Sequence, residues 1–214
     1  QGILPETVKN PIKSRLLAMT SESFLPEQQA ELERLGFKTL KTEPGTLIMA
    51  SGKFFYWDCI LTFMNYTVFV RQVEMLSAAV IESDRTHFQT LAQAENPSFL
   101  PRGMQSGNAV LIVYIANTVD TDAQQICQKP RSISGFAKFY LTGALDTTTG
   151  QQYFSTKSPM VGAVYYGKFR YFIQRLLDPK NAPAKQPTSI LGAGLLIMLV
   201  LMFVFPLIVL LALG

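Results

Sequence analysis

The chain has 214 residues, 48% of them hydrophobic and 16% charged, with 19 Lys and Arg against 15 Asp and Glu and a net charge of +4. That length holds one domain with an appendage, and so small and dispersed a positive surplus lacks the basic stripe of a nucleic-acid binder; no nucleic acid is expected as a partner. Two cysteines, Cys59 and Cys127, are too few for a disulfide framework or a zinc site, which fits reducing, cytosol-like surroundings.

Residues 1–24 read as a mixed N-terminal arm with a short helix near 12–19, and no basic stretch leading into an apolar one marks a signal peptide. A domain over 25–178 follows. Its first element, "PEQQAELERLG" (26–36), carries agreeing helix signals: Pro26 suits the first turn, Glu27 the positive end and Gly36 the stop. "FKTL" and "GTLIMAS" straddle Glu43-Pro44-Gly45, a turn between strands.

"FFYWDCILTFMNYTVFV" (54–70) rivals a bilayer segment, but a central Asp58 costs about 2.5–3.5 kcal/mol on insertion scales. Its aromatic and β-branched residues suit a sheet, and Tyr66, Val68 and Val70 alternate with Thr67, Phe69 and Arg71, a period of two that predicts strand. Asp58, beside four aromatic residues, must be turned outward or paired, and Arg71 is the partner expected if it points inward. The sequon Asn65-Tyr66-Thr67 is read as incidental. Ser83-Asp84 is expected to cap a helix from Arg85 to about Glu95, which carries His87, the sole histidine.

"NPSFLPRGMQSGN" (96–108) reads as loop, and "AVLIVYIAN" (109–117) as a central strand covered on both faces. A short helix is expected between Asp120 and Gln128. Asp120 and Asp122 are a weak candidate pair for a hard cation and more simply a helix start. Cys127, near Lys129 and Arg131, is the cysteine whose thiol two cations could activate. Thr147-Thr148-Thr149-Gly150 reads as a hairpin turn between strands over 135–146 and 151–156, with Asp146 capping its amides. Between Gly162 and Leu177, the residues Tyr165, Phe169, Phe172, Ile173 and Leu176 recur on one helical face.

The linker over 179–188 contains three prolines and is expected to be an extended spacer. From Ser189 to Gly214 no side chain is charged. Residues 190–213, about 36 Å as a helix at roughly 1.5 Å per residue, exceed a hydrocarbon core about 30 Å thick, so 189–214 is expected to be a transmembrane anchor. Lys168, Arg170, Arg175, Lys180 and Lys185 precede it against only Asp178. They are assigned to the membrane interface and, by the positive-inside rule, put the domain on the cytoplasmic side. Ser189, Ala193 and Gly194 offer partial small-residue spacing for helix packing, and Pro206 removes one backbone donor within the span.

The expected fold is α+β: a small mixed or antiparallel sheet with a few packing helices, then one C-terminal transmembrane helix. No HExxH or GxSxG motif occurs, and the two glycines of 101–110 precede a strand where a phosphate loop would follow one. No cofactor and no metal are expected. The function read from these features is that of a non-catalytic accessory or scaffold subunit, with membrane lipids and other subunits of a membrane complex as partners. The alternatives are an anchored enzyme with a site around Asp58, Arg71 and His87, Cys127 being a further catalytic candidate, and a lipid-binding module built on the basic, aromatic helix 162–177.

Overall fold

The computed structural model describes residues 24–44, 46–59, 61–95, 106–129, 131–132, 138–159 and 162–190, and in the tail 192–194, 197–198 and 200–202. The chain runs α1 (Phe24–Arg34), β1 (Lys38–Glu43), β2 (Leu47–Tyr56), a 3-10 turn (Trp57–Cys59), β3 (Thr62–Leu76), α2 (Ala78–Glu95), β4 (Ser106–Val119), α3 (Thr121–Gln128), β5 (Arg131–Ser132), β6 (Lys138–Asp146), β7 (Gln152–Phe154) and α4 (Ala163–Leu177). The expected N-terminal arm, apart from Phe24, most of the 96–108 loop, and Pro206 lie outside the described residues.

The fold is α+β with a mixed sheet of seven strands in the order β1-β2-β3-β4-β6-β5, with β7 also pairing with β6. β1, β2 and β3 form an antiparallel meander, whereas β3, β4 and β6 are parallel, with α2 and α3 on the connections between them. Parallel strands need such crossovers, which cover the sheet and leave the central strands buried on both faces. β4 accordingly splits its continuous apolar run between two cores. Ala109, Leu111, Val113 and Ile115 face α1 and α4, while Val110, Ile112, Tyr114 and Ala116 face α2 and α3. β3 divides as its alternation predicts, with Tyr66, Val68 and Val70 in the first core and Phe69 in the second.

The first core is dense in rings. Phe172 on α4 lies 5.1 Å from both Phe37 and Tyr66 and 5.3 Å from Phe54, centroid to centroid. α1 is fastened to α4 by Gln28, which donates to the Leu176 carbonyl at 3.0 Å. The β6–β7 turn forms as read from sequence: Asp146 accepts from the amides of Thr149 at 2.7 Å and Val119 at 3.1 Å, and Gly150 takes φ 73°.

The start of α2 corrects the sequence reading. The helix begins at Ala78, and Ser77 Oγ accepts from Val80 N at 3.4 Å. Asp84 therefore caps nothing; it is buried in mid-helix, accepts from Tyr114 at 2.9 Å and is paired with Arg71. Among the described residues no helix is long and apolar enough to cross a membrane. The described residues of the tail are helical, but the remainder of the expected span lies outside them.

Candidate functional site

β2 and β3 run antiparallel from Leu47↔Arg71 to Tyr56↔Thr62, so the 3-10 turn at Trp57–Cys59 forms the tip of a long hairpin. Asp58 in that turn is 2% exposed. A carboxylate so buried needs hydrogen-bonded compensation, and two sources supply it from far along the chain. Lys168 Nζ on α4 donates to Oδ2 at 2.7 Å, and Ser189 N donates to the same oxygen at 2.6 Å. The Lys168 ammonium also sits 4.9 Å from the centre of the Tyr56 ring.

Ser189 is the point where the apolar tail begins. Its Oγ accepts from Gly192 N at 3.1 Å, a hydroxyl cap across the first turn of the helix that starts at Ile190. Asp58 adds a negative charge at that helix's positive end and satisfies one of its free amides. Gly192 is seated so closely on the Asp58 carbonyl that a Cβ would collide with it. Three residues before Ser189, Gln186 donates to the Tyr56 hydroxyl at 3.0 Å, and Tyr56 shares a second bond of 3.0 Å with Tyr66. Burial, partly offset by those bonds, pushes the Tyr56 phenol up to about 12, so it stays protonated.

The same tip binds α4 through Thr62, which donates to the Cys59 carbonyl at 2.6 Å and meets the Tyr165 hydroxyl at 2.9 Å. The hairpin tip, the start of α4 and the root of the tail thus form one buried polar junction.

This geometry corrects several expectations. Arg71 is not the partner of Asp58: it lies opposite Leu47, at the far end of the β2–β3 hairpin from the turn that holds Asp58, about 30 Å away at roughly 3.3 Å per residue, and it pairs with Asp84. His87 is exposed on α2 with its ring against Phe88, away from the tip. Asp58, Arg71 and His87 therefore do not assemble into one site. Lys168 and Arg175, assigned from sequence to the membrane interface, are enclosed in ion pairs. Both are buried, Lys168 on Asp58 and Arg175 on Glu31 at 2.6 Å, and Glu31 also accepts from Arg34. Helix α4 spends its aromatic face on the sheet, which removes the apolar stripe that a lipid-binding helix needs. Arg170 is half-buried and donates to the Thr156 carbonyl and Ser158, while Lys180 and Lys185 are exposed.

Cys127 is buried in the second core, and burial pushes its thiol up to about 12, against the activation expected from Lys129 and Arg131. Cys59, in the first core on the other face of the sheet, is also pushed up to about 12, chiefly by burial and then by Asp58. Neither thiol should react with a soluble disulfide reagent at neutral pH until the chain is unfolded; a thiol titration of folded chain consuming one equivalent or more would contradict this. Asp120 holds the cap position of α3 without a side-chain cap bond, and Asp120 and Asp122 are both exposed. Among the described residues no cluster of three metal-ligating side chains occurs.

Of the small tail residues, Ser189 serves as a cap, Ala193 continues the helix with its amide 2.9 Å from the Ser189 carbonyl, and Gly194 faces open space. A cleft of about 500 Å³ lies between α3 and β7, lined by Gln125, Gln128, Lys129, Gln152, Thr156 and Lys157 among others, with no acid or nucleophilic thiol. None of the four catalytic candidates lines it. No protein-family model matches the chain and no curated protein matches it significantly, so its function has to be read from this geometry.

Proposed function

We propose that the chain is a single-pass membrane protein, held by the apolar segment that follows Ser189, whose α+β domain is a non-catalytic accessory or scaffold subunit of a larger membrane complex. The observation that carries this reading is the junction at Asp58. A buried carboxylate is committed to capping the first turn of an apolar helix, and residues of that helix, among them Ile190, Ile197, Met198, Leu201 and Met202, are exposed. A helix whose described apolar side chains from Ile197 to Met202 stand exposed is stable in hydrocarbon and unfavourable in water. Of the catalytic candidates, Asp58 and Arg71 are consumed in structural ion pairs with other residues and Cys127 is buried, which favours a subunit over an enzyme. With Lys168 and Arg175 engaged in ion pairs, the cytoplasmic placement of the domain leans on Arg170, Lys180 and Lys185.

Two measurements test the reading. The full chain should stay with the membrane pellet under alkaline carbonate extraction; release into the supernatant would remove the anchor. Solubilised in mild detergent, it should co-migrate with other polypeptides identifiable by mass spectrometry, and a lone species at monomer mass would remove the subunit role.

A further inference from the structure

Four apolar side chains at the hairpin tip face solvent although two well-filled cores lie beside them. Phe55 is 50% exposed, Trp57 56%, Leu61 42% and Phe63 38%. They are one patch: Phe55 and Phe63 are cross-strand partners with ring centroids 4.9 Å apart, and Trp57 and Leu61 stand on the turn that joins their strands. Leu61 has φ 52°, the single non-glycine residue with positive φ among those described. A leucine in the left-handed region is held there at a backbone cost, and its side chain is left in water unless something covers it. Lys53 rims the patch with its ammonium 5.2 Å from the centre of the Phe63 ring. Lys185, exposed, directly precedes Gln186, which is bonded to Tyr56 of the same hairpin.

We propose that Phe55, Trp57, Leu61 and Phe63 form a collar that sits in the headgroup layer of the bilayer, around the point where the tail enters it. This rests on the tail's being a membrane span. The patch is continuous with the tail: Trp57 is adjacent to Asp58, whose carboxylate holds Ser189 and whose carbonyl touches Gly192. A helix entering hydrocarbon within its first turn brings the tip to the interface. Tryptophan and other aromatic rings are favoured at that depth, and lysines meet anionic headgroups there. The collar also orients the domain. β2 and β3 stand with their shared tip on the membrane, and the turn between β1 and β2 is carried to the far side.

Trp57 is the only tryptophan in the chain, so its emission reports the collar without any substitution. The full chain is reconstituted into vesicles of phosphatidylcholine and phosphatidylglycerol whose acyl chains carry bromine either near the headgroup or near the methyl end. The expected result is loss of most of the Trp57 emission with shallow bromines and a smaller loss with deep ones. Carbonate extraction of the same vesicles reads the anchor separately. A chain that resists extraction but keeps its full emission overturns the collar and leaves the anchor standing. Release by alkali together with full emission overturns both. If Trp57 stays unquenched in lipid alone yet is shielded from N-bromosuccinimide in native membranes, a protein partner covers the patch and the lipid assignment fails. The chain carrying Phe55→Ser and Phe63→Ser should show weaker shallow quenching while resisting extraction as before; unchanged quenching would overturn the role of those two rings.

Discussion

Replacing Lys168 with methionine should lower the stability of the domain by about 3–5 kcal/mol, the typical cost of stranding one member of a buried ion pair. Both partners are almost fully enclosed, and the ammonium is one of two donors on Asp58 Oδ2. Without it, the carboxylate loses its one charged partner and keeps only neutral donors, the Ser189 amide chief among them. Pairing the change with Asp58→Asn should recover most of the loss. The amide oxygen still accepts from Ser189, and no charge is left to solvate. Urea titration of the detergent-solubilised full chain, followed by circular dichroism, reads both variants. A single variant as stable as the parent, or a double variant no better than the single, would show that the pair is not what secures the junction.

Acid probes the same residue. Burial is the largest influence on the Asp58 carboxyl and pushes it up, but the bonds from Lys168 and Ser189, with the Lys168 charge, outweigh it and hold the group below its ordinary value. The folded chain then binds fewer protons at Asp58 than the unfolded chain does. Its contribution is complete above about pH 4, the unfolded value, and is lost as pH falls from there through the folded value. Below about pH 4 the parent should therefore lose stability more steeply than the Asp58→Asn chain; equal slopes would remove Asp58 from the acid response.

Phe172→Ala should be comparably costly, about 3–5 kcal/mol for removing a buried phenylalanine ring. Phe172 is the hub on which Phe37, Phe54 and Tyr66 converge, so the hole opens where α4, β2 and β3 meet and where none of them can collapse alone. Phe172→Leu should lose distinctly less. A loss under about 1 kcal/mol for the alanine variant would mean that the cluster repacks, and that the three elements are held together by their polar bonds instead.

Much of this architecture was readable before any coordinates. β4 announced itself because a strand covered on both faces needs an unbroken apolar run, and β3 because one strand serving two cores must alternate. Helix α4 carried its stripe at 3.6-residue spacing, and Gly150 marked its turn. What escaped were pairings between distant parts of the chain. Asp58, if it pointed inward, was expected to pair with Arg71 on the nearby strand, yet its partner comes from a helix 110 positions later. Lys168 and Arg175 border the apolar stripe of α4 and look like solvent or membrane charges until the hairpin tip and α1 close over them with acids. The one local signal was the mismatch itself: a carboxylate inside an aromatic run and two cations beside an aromatic stripe each call for a counter-charge. The start of α2 was missed because Asp84 has the chemistry of a cap; its side chain is required in the core by Arg71 and Tyr114.

The spacer between α4 and the tail has a consequence for motion. Helix α4 starts at the hairpin tip and runs about 22 Å away from it, at roughly 1.5 Å per residue, yet Ser189 is back at the tip and the Pro187 ring lies against Gly167. Much of the reach of residues 179–189, at most about 34 Å at roughly 3.1 Å each, goes into running back along that helix. The domain is therefore not a float on a tether. Tail and sheet are joined through Asp58 and Gln186, so a turn of the tail about its own axis pulls on the sheet directly through those two bonds before the spacer can take it up.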